Sequence, residues 1–181
     1  MLRNNDRNWG SVSRFFHWGM ALAIFSMFVL GWIMINVPLS PLKLELFIWH
    51  KSIGITLLGV VVLRIVWRLV NPTPRLPSNI SKGEQHLARY GQLWLYILMI
   101  LMPLSGWIIN SAANFPLRWF SLFTIPAIAD PSHLLEDQAK MAHFILFILL
   151  ALTIAGHIIA ALYHHRVSRN NVLNNMLGKD S

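Results

Sequence analysis

Four long apolar runs, separated by polar or proline-rich segments, organise this chain. The runs cover about residues 14–36, 46–70, 90–110 and 141–165. Each reaches the length of about 20 residues that an α-helix needs to cross the apolar core of a bilayer. The pattern therefore predicts an all-α membrane protein, in which four transmembrane helices form one bundle within a single domain over residues 1–181.

The connections carry the signals that end helices. Residues 71–77 (NPTPRLP) end the second helix, because proline has no backbone N–H with which to continue it. Pro103 falls inside the third run, where a membrane bundle tolerates it. The other predicted segments are a solvated arm at 1–13, a short loop at 37–44, a polar connector with an interfacial helix at 78–89, an aromatic interfacial segment at 111–140 and a polar tail at 166–181.

Composition supports a membrane protein. Hydrophobic residues make up 55% of the chain and charged residues only 12%, against about 25% charged in soluble domains. Cysteine is absent, which excludes disulfides, iron–sulfur clusters, thiolate metal sites and covalent C-x-x-C-H haem attachment. No cleavable signal peptide is expected, since the first apolar run is too long and lacks a small-residue cleavage site after it.

Basic residues divide unequally between the two predicted sides of the membrane. The side that holds both termini carries eleven of them: Arg3, Arg7, Arg14, Arg64, Arg68, Arg75, Lys82, Arg89, Arg166, Arg169 and Lys179. The other side carries Lys43, Lys51, Arg118 and Lys140. Basic residues concentrate on the cytoplasmic side of a membrane. The protein is therefore expected in a bacterial inner membrane, with both termini on the cytoplasmic side. The formal charge of +8 then reflects topology, and no nucleic-acid partner is implied.

Histidines occur inside three of the four runs. His143 and His157 are 14 residues apart on the last one, which places them on nearly one helix face and about 21 Å apart along the axis. Helix direction sets the depth of the others: His17 lies level with His157, toward the cytoplasm, and His50 lies level with His143, toward the outside. Ionisable residues within a membrane are costly and usually functional.

Two level pairs of histidines on different helices suit bis-histidine ligation of two stacked haems, which would be non-covalent, b-type haems. A single histidine in a span can instead bond a neighbouring helix or relay protons. A carboxylate-bridged dimetal site is disfavoured, because no acidic residue lies inside a run. The remaining histidines fall in connectors or at helix ends and are expected to be interfacial: His86, His133, His164 and His165.

Two further groups of residues admit both a cofactor role and an ordinary one. Three arginines at the cytoplasmic helix ends can pair with haem propionates, or simply snorkel to the interface: Arg14, Arg64 and Arg68. Three glycines near the histidines can leave room for a porphyrin, or serve helix packing: Gly19, Gly54 and Gly156.

The chain also resembles the bacterial cytochrome b561 family of di-haem membrane proteins. The resemblance rests on FFHW at 15–18, WHKSIG at 49–54, VLRIVWRLVNPTPRLP at 62–77, LYILMILMPLSGW at 95–107, MAH at 141–143 and AGHIIAALYHH at 155–165. It implies haem ligation by His17, His50, His143 and His157, and it matches His164 to a histidine associated with a quinone pocket. Gln92 departs from the family pattern, in which many members have histidine there.

The family includes a superoxide oxidase activity, so the resemblance implies oxidation of superoxide outside and reduction of ubiquinone inside. Lys51 and Lys140 adjoin the outer histidines in sequence and are candidates to steer the superoxide anion, with Arg118 on the same side. They can equally be ordinary interfacial lysines. The alternative function is an electron-transfer subunit, passing electrons between the quinone pool and a partner dehydrogenase or soluble cytochrome.

The basic-residue distribution generates a topology prediction. A reporter fused after Ser181 that functions only in the cytoplasm should be active, and a reporter that functions only outside the membrane should be silent. Activity of the external reporter alone would contradict the predicted orientation.

Overall fold

The computed structural model describes residues 1–6, 8–74 and 81–178. Its elements, in chain order, are α1 (Ser11–Asn36), α2 (Pro41–Leu69), α3 (Lys82–Ala112), β1 (Leu117–Trp119), β2 (Phe123–Ile125), α4 (His133–Arg166) and α5 (Val172–Leu177). Helices α1 to α4 are each long and apolar enough to cross a membrane. The predicted bundle of four transmembrane helices is confirmed.

The four long helices do not pack evenly on one another. Helix α3 packs closely along both α4 and α2, and α2 packs along α1. In the described part of the chain, the backbone of α4 stays farther from α1 and α2. The two halves meet through side chains, as where the Phe28 and Phe147 rings lie edge to face with centroids 5.2 Å apart. A seam therefore runs between α4 and the α1–α2 pair.

Large apolar side chains face outward along the bundle. Leu22, Phe25 and Trp32 on α1, and Leu152 and Ile159 on α4, are all exposed. Lipid is as apolar as a protein core, so an outward apolar surface costs nothing in a membrane and would be a liability in water. The surface thus agrees with the spanning assignment of these helices.

The helices extend beyond the predicted spans because capping residues precede the apolar runs. Helix α2 begins at Pro41, where the Ser40 Oγ accepts the Lys43 N–H at 3.3 Å. Helix α3 begins at Lys82, with Ser81 and Glu84 forming a reciprocal capping box. The loop predicted over 37–44 is therefore shorter, and residues 82–89 form the first turns of α3 instead of a separate interfacial helix. Residues 78–80 of that prediction lie outside the described residues.

The connection between α3 and α4 contains a β-hairpin, which the expectation of an all-α protein did not include. Strands β1 and β2 pair antiparallel. The hairpin is fixed to α2, because the buried Ser52 Oγ accepts the Phe120 N–H at 2.8 Å and the Trp119 indole donates to Thr56 Oγ1 at 3.0 Å. Leu122 and Phe123, at the far side of the turn, remain exposed, as suits an interfacial segment.

The amino-terminal arm is largely exposed, as predicted for a solvated segment, but it is anchored to the bundle at Asn4. The Asn4 side chain is buried and bonds the Pro72 carbonyl oxygen, the Gly10 N–H and the Ser13 hydroxyl. Ser13 in turn accepts the Trp67 indole N–H at 2.9 Å. A polar side chain removed from water needs such partners, and here they tie the arm to both α1 and α2.

The carboxy-terminal segment also folds back instead of forming a simple polar tail. Helix α5 lies near the start of α1, where the Trp18 indole donates to the Met176 carbonyl oxygen at 3.0 Å. The arm and α5 therefore cover the end of the bundle on which the termini lie.

Candidate functional site

The four histidines within the membrane-spanning helices form two pairs across the seam, with three rings half-buried and His157 exposed. The ring centroids of His17 on α1 and His157 on α4 are 6.1 Å apart. Those of His50 on α2 and His143 on α4 are 6.4 Å apart. After the predicted topology, the His17–His157 pair is called the inner level and the His50–His143 pair is called the outer level. Helix α4 contributes one ring to each, 14 residues or about 21 Å apart along its axis.

The spacing of each pair fits one metal ion held between two imidazoles. A metal–imidazole nitrogen bond is about 2.0–2.1 Å long and the ring centroid lies about 1 Å beyond the nitrogen, so two rings on opposite sides of a metal have centroids about 6 Å apart. Among the described residues, no group of three histidine, cysteine or acidic side chains could hold a metal. An iron at either level would therefore need its remaining ligands from a macrocycle such as haem.

Ser105 lies within hydrogen-bond distance of His143 at the outer level. The Ser105 Oγ lies 2.8 Å from His143 Nδ1. The hydroxyl donates its own proton to the Met102 carbonyl oxygen at 2.7 Å, so toward the histidine it accepts. The His143 proton is then on Nδ1, and the Nε2 lone pair is free for a metal. On the same turn of α3, a Cβ built on Gly106 would lie 3.4 Å from His143 Cε1, so this glycine lets the ring approach the helix.

His50, the other ring of the outer level, packs against α1. A Cβ built on Gly31 would lie 3.5 Å from His50 Cε1. The buried Nδ1 of His50 has no hydrogen-bond partner among the described residues. The outer level is therefore asymmetric, with one ring held by a hydroxyl and the other held by packing.

Arg64 contacts His17 at the inner level. Its Nη2 lies 3.2 Å from His17 Nδ1. A guanidinium has no acceptor, so Nδ1 accepts in this contact and the His17 proton is on Nε2. For His17 to bind a metal through Nε2, the proton must move to Nδ1 and the guanidinium must leave it. The two levels thus differ in the group that faces a histidine Nδ1, which is a guanidinium at the inner level and a hydroxyl at the outer level. Their ring spacings are nearly equal.

A basic cluster adjoins the inner level. Arg64 and Arg68 each lie 5.6 Å from the centre of the Tyr96 ring, and Arg68 donates to the Gln92 Oε1 at 2.9 Å. Within the described chain, neither arginine forms an ion pair with a carboxylate. Two arginines without a counter-charge suit an anionic group such as a propionate. Arg14, predicted for the same role, instead lies against the backbone of Gly178.

The glycines separate into two groups. A Cβ at Gly19 or Gly156 would meet nothing within 4 Å, so neither glycine is needed for a close contact. Gly54 faces Met27 at 3.8 Å and serves helix packing. Gly31 and Gly106, which contact the outer rings, were not among the residues singled out from the sequence.

One signal in the sequence identifies Gly31. Each long helix carries a pair of residues 14 positions apart, one at each level: His17 and Gly31, His50 and Arg64, Gln92 and Gly106, His143 and His157. Fourteen residues are close to four helical turns, so each pair shares a face. Searching for small or polar residues at this spacing from the histidines would have found Gly31 but not Gly106, whose counterpart 14 residues earlier is Gln92.

Of the two lysines next to the outer histidines, only Lys51 lacks an ion-pair partner among the described residues. Lys140 Nζ lies 2.6 Å from Glu136 and 3.7 Å from Asp137 on the same helix. Its charge is therefore partly compensated, and the expectation that both lysines attract an anion stays a prediction. The half-buried Lys51 points to Phe115, with its Nζ 5.9 Å from the ring centroid. Arg118 is exposed on β1.

His164 lies near the end of α4 on the inner side. Asn170 has its Oδ1 facing the Val172 N–H, so its Nδ2 faces His164 Nδ1 at 3.2 Å. An amide NH₂ only donates, which leaves the His164 proton on Nε2. Elsewhere, the exposed His86 stacks on Tyr90, and the exposed His133 starts α4.

Comparison with known proteins agrees with this geometry. A family model described as prokaryotic cytochrome b561 matches residues 8–179. The chain belongs to the prokaryotic cytochrome b561 family. It is 33% identical over 185 residues to cytochrome b561 homolog 2 of Escherichia coli (strain K12), covering 98% of this chain and 95% of that protein. It is 31% identical over 131 residues to probable superoxide oxidase CybB of Yersinia pestis, covering 72% of this chain and 73% of that protein.

Membership of the cytochrome b561 family defines the function in outline. The chain is a multi-pass bacterial membrane protein of an electron-transfer family that uses b-type haem. The absence of cysteine agrees with non-covalent haem. Among the described residues, the paired imidazoles have a spacing that fits the iron of a b-type haem.

The paired rings predict two b-type haems per chain. Replacing His50 or His143 by alanine should remove the outer haem and leave the inner one. Replacing His17 or His157 should do the reverse, because each haem would lose one of the two histidines that would hold it. The pyridine haemochrome assay on purified protein, with haem counted per chain, is the measurement. The exposed His86 replaced by alanine is the control and should keep both haems. A wild-type count of one or zero would contradict the prediction.

Proposed function

We propose that this b561 protein holds one b-type haem at each level and oxidises superoxide on the outer side while reducing ubiquinone on the inner side. The observation that carries the proposal is the pair of cross-seam histidine contacts, one near each end of the bundle. Similarity to a protein named probable superoxide oxidase supports superoxide as the donor. Bound haem supplies a one-electron carrier at each level.

The stoichiometry of the proposed reaction balances over two turns. Each superoxide anion loses one electron and leaves as O₂. One quinone takes up two such electrons and two protons and leaves as quinol. A one-electron donor and a two-electron acceptor are thus joined by carriers that pass one electron at a time, and no other reductant or oxidant is needed.

Lys51 is the residue of this chain best suited to attract superoxide. It follows His50 directly on α2, and its ammonium is not neutralised by a described carboxylate. A half-buried positive charge is less screened than an exposed one, so it raises the local concentration of an anion near the outer level. Lys140 contributes less, because Glu136 and Asp137 surround its ammonium.

His164 is the residue best suited to bind a quinone on the inner side. Asn170 holds its proton on Nε2, and this N–H can donate to a quinone carbonyl oxygen. The same imidazole can then pass a proton to the reduced ring and regain one from the cytoplasmic side. The basic cluster of Arg64 and Arg68 lies toward the same end of the bundle and favours negative charge that develops on the quinone.

The hairpin supports a second candidate function, that of an electron-transfer subunit for a partner dehydrogenase or soluble cytochrome. Its exposed apolar tip includes Leu122 and Phe123, next to the outer level. An apolar tip suits a protein partner and the membrane interface alike. The superoxide experiment below separates the two candidates.

Replacing Lys51 by glutamine should slow reduction of the protein by a superoxide pulse by roughly two- to tenfold and flatten the dependence of that rate on salt, because one steering charge is lost. Stopped-flow absorbance of the haem bands is the measurement. Lys51→Arg keeps the charge and should retain the rate, and Lys140→Gln should have the smaller effect of the two charge removals.

The donor assignment fails if superoxide leaves the oxidised wild-type protein unchanged while quinol or a soluble cytochrome exchanges electrons with it rapidly. In that case the partner-subunit function is supported. If superoxide reduces the wild type and Lys51→Gln equally fast at every salt concentration, the steering role of Lys51 is wrong, but superoxide remains the donor.

Replacing His164 by leucine should slow reoxidation of the reduced protein by added ubiquinone by about tenfold or more, because a hydrogen-bond donor and proton carrier is lost. Reduction by superoxide should be unaffected, since it enters at the other level. His165→Leu removes the neighbouring histidine and is the matched control. Equal reoxidation rates in the two variants would argue against a quinone role for His164.

A further inference from the structure

We propose that Ser105 is a positioning residue for the outer level, which holds His143 in the tautomer and orientation that an axial ligand needs. The inference rests on the proposed ligation of iron by His143. It assigns a role to a residue on α3, the one long helix that contributes no histidine to either level.

The contacts at Ser105 favour one arrangement of protons, which the Met102 carbonyl oxygen, itself a partner of His143, also favours. The hydroxyl has a single proton, and the Met102 carbonyl oxygen, at 2.7 Å, can only accept it. The Oγ is then left with lone pairs toward His143 Nδ1 at 2.8 Å. The imidazole must donate from Nδ1, so its Nε2 carries the free lone pair. A ring in the opposite tautomer would place two lone pairs against each other.

The surrounding helix keeps this arrangement in place. Ser105 is 6% exposed, so water does not compete for its oxygen. Its bond to Met102, three residues earlier, fixes the hydroxyl rotor against the helix backbone. The adjoining Gly106 lets the His143 ring lie against α3, with 3.4 Å between Cε1 and the position a Cβ would occupy. Ser105 and Gly106 thus form a small cradle for one ring.

Among the described residues, the other three rings have no equivalent of this acceptor. His50 has a buried Nδ1 without a partner. His17 Nδ1 faces a guanidinium, which donates and so enforces the opposite tautomer. His157 makes no side-chain hydrogen bond that would fix its ring. The effect of Ser105 should therefore be confined to the outer level.

The Ser105 hydroxyl, as an acceptor for the His143 Nδ1 proton, determines in which direction its loss shifts the outer reduction potential. An imidazole that donates its Nδ1 proton to an acceptor becomes a more basic ligand at Nε2. A more basic ligand stabilises the ferric state, which lowers the reduction potential of the iron that it binds. Loss of the hydroxyl should raise the outer midpoint potential and weaken retention of the outer haem.

The test compares Ser105→Thr with Ser105→Val in the purified holoprotein. Threonine and valine have the same shape, so the difference between these variants reports the hydroxyl alone. The readouts are the midpoint potentials from optical redox titration and the rate at which haem is lost to apomyoglobin. His143→Ala and His157→Ala assign the two potentials to the two levels. Thr153→Val is the control, because among the described residues Thr153 bonds only the Leu149 carbonyl oxygen of its own helix.

We expect Ser105→Thr to behave as the wild type. Ser105→Val should have a raised outer potential and lose the outer haem roughly tenfold faster or more, in line with other outer-shell ligand partners. The inner potential should stay constant in both variants. Ser105→Ala should match valine, which gives a second comparison without the added methyl group.

The inference is overturned if Ser105→Val and Ser105→Thr share one outer potential and one rate of haem loss. It is also overturned if Ser105→Val shifts both potentials equally, since the residue would then support only the fold. If His143→Ala keeps both haems, the ligand assignment itself is wrong and the role of Ser105 falls with it. If His143→Ala loses one haem while Ser105→Thr and Ser105→Val have equal outer potentials and equal rates of haem loss, the ligand assignment stands and the role of Ser105 is refuted.

Discussion

The two cross-seam imidazole contacts are the constraint on which the rest of this bundle depends. Imidazole rings are polar, and four of them lie within helices that cross an apolar phase. Burying such groups without partners is expensive. The helix packing explains how they are accommodated. Helix α4 packs on α3 and leaves a seam toward α1 and α2, and on the proposed assignments the rings obtain their partners from a cofactor within that seam.

The two levels differ in electrostatics, and the difference favours inward electron flow on the proposed assignments. Ser105 draws on the Nδ1 proton of His143, which lowers the outer potential. At the inner level, Arg64 and Arg68 add positive charge without a described counter-charge, and positive charge stabilises an added electron. On these assignments, the two arginines on α2 and the serine on α3 would give the inner level the higher reduction potential.

The apolar periodicity and the histidine positions were enough to predict the four helices and the pairing of the rings. Depth along antiparallel helices follows directly from residue spacing. The sequence was therefore enough to pair His17 with His157 and His50 with His143. Helix ends were harder to predict, because capping by Ser40, Ser81 and Ser132 extends each helix into polar sequence that hydropathy alone assigns to loops.

Tertiary contacts account for what the sequence did not reveal. The hairpin depends on Ser52, a serine on α2 that bonds the turn more than sixty residues later. The ordered arm depends on Asn4 meeting Pro72. The pairing of Lys140 with Glu136 is an ordinary i, i+4 contact, and the spacing alone could have identified it. The roles of Ser105 and Gly106 needed the packing of α3 on α4 and could not be read from their own segment.

Electron transfer across a sealed membrane tests the central claim most directly. Purified protein reconstituted into vesicles would have ferricyanide trapped inside and dithionite added outside, two reagents that do not cross the bilayer. If the two levels form one path, the trapped ferricyanide should be reduced, and both His143→Ala and His157→Ala should abolish its reduction. Haem that is fully reduced by external dithionite while the trapped ferricyanide remains oxidised would contradict a path from the outer level to the inner one.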